Sequence, residues 1–141
     1  MTRDDLKKLS QLRIKEARAL YDNKCYNGAI YIGGYAIELS LKARICKILE
    51  VADFPDSIQG FKTHDISRLL MLSGLTKKFE RKKSNTSFGT NWDLLTFWND
   101  KLRYGLVFKE NRLPNKTDAI DFLNAIDDQI NGVYTWIKKH W

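Results

Sequence analysis

The sequence predicts an all-α protein, an up-and-down bundle of about four to five helices in which residues 1–141 form one domain. Three observations carry that expectation. Apolar residues recur at helical spacing along most of the chain, and no alternating pattern is long enough for a sheet. Only two prolines, Pro55 and Pro114, interrupt 141 residues, so long helices can run unbroken. Hydrophobic residues make up 43% and charged residues 29%, enough apolar material for one core without disulfides or metals.

The first helix is expected from Thr2 to about Asn23. Thr2 can cap it, Asp4 and Asp5 suit its positively polarised first turn, and Leu6, Leu9, Ile14, Ala17, Leu20 and Tyr21 share a face. The second, from about Tyr26 to Val51, is apolar on most of its circumference, which marks the centre of a bundle. Gly33 and Gly34 weaken it by about 1 kcal/mol each relative to alanine, and close approach of a neighbouring helix or a second subunit would account for them. Asp53 to Thr63 reads as a loop, and Thr63, His64 and Asp65 open a short helix ended by Gly74. Leu75 to Lys83 adds a further helical turn or two. Ser84 to Thr90 is rich in turn formers and predicts a loop. A helix from Asn91 to about Arg103 follows, and Gly105 to Pro114 reads as an irregular connection. The last helix starts at Asn115, with Asp118 three residues on and Thr117 as a second choice of cap, and its apolar repeat runs to the end.

The net charge of +7 favours polyanionic partners. Cys25 and Cys46 lie 21 positions apart with no CxxC, which excludes a zinc ribbon and argues against a disulfide framework. No apolar run approaches the roughly 18 residues of a membrane span, and Met1-Thr2-Arg3-Asp4-Asp5 does not open a secretory signal. A cytoplasmic protein without a membrane partner is the expectation. No Gly-rich phosphate loop, HExxH, nucleophile elbow or carboxylate cluster is visible, so no cofactor and no metal are expected.

Several stretches together resemble the HEPN family of helical bundles. Ala29 to Ala43 (Ala-Ile-Tyr-Ile-Gly-Gly-Tyr-Ala-Ile-Glu-Leu-Ser-Leu-Lys-Ala) is similar to the family's central helix, and Thr63-His64-Asp65-Ile66 with Leu69-Leu70 to its short "HDL" helix. Asn91-Trp92, Trp98 and Arg103-Tyr104 resemble a tryptophan-bearing helix of one bacterial branch, and Gly132 to Lys138 that branch's carboxyl end. The resemblance implies a bundle that commonly pairs with itself and works in RNA or nucleotide processing, either as a ribonuclease or as the non-catalytic partner of a small nucleotidyltransferase. Ribonuclease members use an R-x(4–6)-H motif, which this chain lacks. His64 has its nearest upstream arginine at Arg44, 20 positions away, and His140 at Arg112, 28 away.

Five residues are candidates for a ligand site: Glu38, Lys42, His64, Arg103 and Tyr104. Glu38 and Lys42 are one helical turn apart and read either as a local ion pair or as a buried carboxylate that meets Arg103. His64 reads as part of a helix start or as an imidazole that binds phosphate or acts as a base. Arg103 and Tyr104, near Trp92 and Trp98, could hold a phosphate while a base stacks, or simply end a helix. Lys77, Lys78, Arg81, Lys82 and Lys83 form the densest basic run, a nucleic-acid contact or a solvated face, with Lys138, Lys139 and His140 as a smaller cluster. Trp136 and Trp141 suit packing or dimer contacts.

The leading expectation is a non-catalytic, homodimeric, RNA- or nucleotide-linked partner domain of a toxin–antitoxin or defence system. A metal-independent ribonuclease built on His64 and Arg103, and a protein-interaction module without nucleic-acid binding, are the alternatives.

Overall fold

Two long helices make the frame. α1 (Arg3–Asp22) and α2 (Tyr26–Leu49) are joined by only three residues and pack along each other as a hairpin. The computed structural model describes residues 1–104 and 112–141, with the side chains at 103 and 104 outside that description. Thr2 caps α1, its Oγ1 accepting the Asp5 amide at 3.1 Å, and Asn23 closes it by donating from Nδ2 to the Ala19 carbonyl. Six shorter segments follow: α3 (Ile66–Leu72), α4 (Thr76–Lys83), α5 (Thr86–Leu95), a 3₁₀ turn (Asp100–Tyr104), α6 (Lys116–Asp127) and α7 (Val133–Lys138). Among the described residues there is no strand, and an isolated bridge joins Thr2 and Asp53.

α2 is the axis of the bundle. It packs against α1, α3, α6, α7 and the 3₁₀ turn, and residues on every side of it, including Ile30, Ala36, Ile37, Leu41, Ala43 and Ile45, are buried. Its glycines serve close approach within the chain. At Gly33 a Cβ would lie 3.0 Å from Ile126 and 3.1 Å from Leu123 of α6. At Gly34 the indole of Trp98 fills the space a Cβ would take, and its Nε1–H donates to the Tyr31 carbonyl at 3.0 Å.

The helices are shorter and more numerous than the periodicity implies, for three physical reasons. Ser84 to Thr90 is not a loop: Asn85 accepts the Phe88 amide at 3.1 Å and starts α5, because turn formers are also cap formers. The helix expected from Asn91 to Arg103 stops at Leu95, where the Thr96 hydroxyl donates to the Asp93 carbonyl, and resumes as the 3₁₀ turn. The last helix divides at 128–132. Asp128 accepts the amides of Ile130 and Asn131 in a turn, and Ile130, a member of the apolar repeat expected to run to the end, is 75% exposed. Its start follows the sequence: Asn115 and Asp118 form a reciprocal capping box.

Candidate functional site

The polar corner of the bundle is built on α2. Glu38 is 2% exposed, and Lys42, one turn on, reaches back to place Nζ 2.6 Å from its Oε1. The partner on the other side is His64, whose Nδ1 lies 3.1 Å from both carboxylate oxygens. Local sequence frees His64 for this. Asp65 caps α3 by accepting the amides of Ser67 and Arg68, and Thr63 Oγ1 accepts the Asp65 amide, so neither duty falls to the imidazole. Of the two readings of Glu38, the local pair with Lys42 is present, yet the carboxylate is buried rather than surface-bound.

A carboxylate flanked by two donors fixes the imidazole tautomer. Because a carboxylate only accepts, Nδ1 is the donor of this contact, and Nε2 sits on the ring edge away from the carboxylate. The side chain of His64 is half exposed and stands between two depressions. One, of about 540 Å³, is lined by Lys62, Asp65, Thr96, Trp98, Asn99 and Asp100 among others. The second, of about 410 Å³, is lined by Lys42, Asp56, Ser57 and Lys62. Tyr35 completes the corner, its ring edge-on to both His64 and Trp98. A buried carboxylate holding Nδ1 of an accessible imidazole can orient a base or a hydrogen-bond acceptor.

Arg103 and Tyr104 belong to the 3₁₀ turn that packs on α2, and their side chains lie outside the described residues, as does the segment after them. The tryptophans expected to flank them are not open to a stacked base. Trp92 and Trp98 are both buried, Trp92 against Phe79 and Trp98 against Gly34 and Tyr35. Trp136, assigned to packing or a dimer contact, is buried within the chain between Phe79, Phe88 and His140.

The basic run occupies α4, which buries Phe79 and leaves Lys77, Lys78, Arg81 and Lys83 exposed. Phe79 packs against Trp136 of α7, so the run is carried to the second basic cluster. Two cations of α2 complete the face: Arg44 donates to the His140 carbonyl at 2.8 Å, and Lys47 approaches the carbonyls of His140 and Trp141 at 3.3 and 3.4 Å. Burial, and then the charges of Lys78, Arg44, Lys47 and Lys139, hold the His140 imidazole below its ordinary range, while burial lowers Arg44. Nine residues, about two and a half turns, separate Glu38 from Lys47, so the polar corner and the basic face lie on opposite sides of α2.

Several residues of these regions are absent from the sequence-based candidates. Tyr35 lies one turn before Glu38, and i,i+3 spacing would have found it. Arg44 and Lys47 are found by continuing round the same helix. Lys62 is a chain neighbour of His64, two positions before it, whereas Thr96, Asn99 and Asp100 join it around the larger depression only through the tertiary fold, and no local pattern announces them.

Among the described residues, no group of three or more His, Cys, Asp or Glu side chains could hold a metal ion, and no helix is long and apolar enough to cross a membrane. Fold and site define an all-α bundle with a buried acid–imidazole corner and an opposed basic face. Comparison with protein-family models, with curated proteins and with solved structures finds no match.

Proposed function

We propose that the chain is a non-catalytic, HEPN-like binding domain for RNA, homodimeric and partnered with a small nucleotidyltransferase in a toxin–antitoxin or defence system. The observation that supports this reading is the convergence of three basic segments, from α2, α4 and the end of α7, on one face. Scattered cations repel and disperse. Cations gathered at a cost in repulsion, which adds to burial in lowering the His140 imidazole, are the electrostatic footprint of a polyanion partner. The test is retention of end-labelled single-stranded RNA by the purified protein, with chelator present and salt varied. Retention that weakens steeply with salt and is abolished by charge reversal at Lys77, Lys78 and Lys139 supports the reading. Retention indifferent to both would reject it, and absence of retention would direct the search to a protein partner.

A second reading, a metal-independent ribonuclease, is favoured by one specific observation: Glu38 holds Nδ1 of a half-exposed His64. In that case the same incubation yields chelator-resistant cleavage that disappears in His64→Ala. Arg103→Ala reports whether the arginine takes part. Intact RNA at long incubation excludes it.

A further inference from the structure

Lysines cover aromatic rings of the basic face and of its border with α1. Lys83 Nζ lies 5.8 Å from the centroid of the Phe79 ring, and Lys82 Nζ lies 5.6 Å from that of Phe88. Lys138 stands over Tyr134 at 5.3 Å and Lys7 over Trp141 at 5.7 Å. Four rings from four parts of the chain are each faced by an ammonium group. Below that layer Phe88 is 0%, Tyr134 4%, Phe79 5% and Trp136 7% exposed, while Trp141 is partly buried.

Domains that hold single strands through their bases present open rings on which successive bases stack. Here, among the described residues, the outward approach to these four rings is taken by lysines, so a strand laid on this face meets ammonium and guanidinium groups before any ring, with Trp141 partly buried beneath Lys7. Contacts of that kind position a strand and carry no sequence information. We infer that the face binds a phosphate polymer through its backbone charge alone, without reading bases. The inference rests on the RNA-binding reading above in one respect: both need this face to meet a polyanion. Two sources share the chemistry, a nucleic-acid strand and inorganic polyphosphate.

The experiment uses the whole protein and a short labelled oligouridylate. Its unlabelled competitors are an oligoadenylate, an abasic deoxyribose-phosphate oligomer of equal phosphate count and inorganic polyphosphate, each also titrated directly. The expected result is that oligoadenylate and the abasic oligomer compete within about threefold of oligouridylate, with the same salt slope, since counterion release sets the affinity. Polyphosphate competes at least as well. If the RNAs bind and the abasic oligomer is weaker by tenfold or more, bases are read; the inference falls while RNA binding stands. Should polyphosphate bind and RNA fail to, the RNA reading falls and the inference holds with polyphosphate as its source. Binding of none of them overturns both. Lys83→Ser and Lys138→Ser lie on the surface and leave the core intact. Each should weaken oligouridylate and the abasic oligomer in the same proportion, and a loss confined to the RNA would overturn the inference.

Discussion

The two sides of α2 use the same ingredients, lysine, histidine and aromatic rings, to opposite ends. At the polar corner one cation is drawn inside and spent on a single buried carboxylate, with the imidazole clamped by the other partner. On the basic face most cations stay in water, several lie on rings, and they repel one another. Burial makes the first region geometrically exact and intolerant of change, because a charge removed from water depends on its partner. Exposure makes the second additive and tolerant, because each cation acts almost alone and is screened by salt. A corner of the first kind selects by position, and a face of the second kind selects by charge.

The comparison breaks most visibly at Glu38. Glu38→Ala leaves Lys42 and His64 without their common acceptor, and urea unfolding should show a loss of about 3–5 kcal/mol; an unchanged midpoint would mean the corner is as loosely held as the surface. Next is Gly34→Ala, whose methyl group needs the space of the Trp98 indole. Overpacking should cost about 1–3 kcal/mol, and Trp98 fluorescence should report the displaced ring. His64→Ala removes a hydrogen bond that water can partly replace, so about 1 kcal/mol is expected. A double-mutant cycle with Lys42→Ala should give non-additivity, since both side chains share Glu38. Alanine at Lys77, Lys78 or Arg81 should change stability by less than about 0.5 kcal/mol each, while lowering RNA affinity and its salt slope.

The smallest effect is the pH dependence of His140. Its folded pKa is depressed, first by burial and then by Lys78, Arg44, Lys47 and Lys139. The neutral form is therefore favoured by folding, so its contribution to stability is present above the ordinary imidazole range and is lost as pH falls through the folded value. His140→Gln should flatten that part of the stability profile. A bound polyanion offsets the neighbouring cations, so the His140 titration followed by NMR should move upward when RNA is added. No movement would place the polyanion elsewhere.

Much of the frame is legible in the sequence because it is locally encoded. Thr2 and the Asn115–Asp118 box announce helix starts, and the apolar circumference of α2 announces its central place. The helix breaks are less legible, since Ile126, Ile130, Val133 and Ile137 keep their spacing through a segment where Asp128 accepts two backbone amides and turns the chain. Periodicity reports where a helix could run, and a side-chain acceptor decides whether it does. At the polar corner, the burial of Glu38 and the identity of His64 as a candidate are readable, but their meeting is not. The two are 26 positions apart and are joined by packing of α3 on α2 rather than by any spacing rule. The tryptophans illustrate the converse. Their proximity to Arg103 in sequence suggests a stacking platform, and the structure uses them to fill the core.

The break at 128–132 has a consequence for dynamics. α7 has six residues, too few to persist as a helix without its neighbours. What keeps it in place is the burial of Val133, Tyr134, Trp136 and Ile137 and the grip of Arg44 and Lys47 on the main chain just beyond it. This short helix should therefore behave as a latch that opens before α1 and α2 unfold, its amides exchanging with deuterium before those of α2. Lys138 and Lys139 travel with that latch. A polyanion that bridges α4 and α7 would close it, and the slowing of exchange in α7 would record the binding event in the backbone itself.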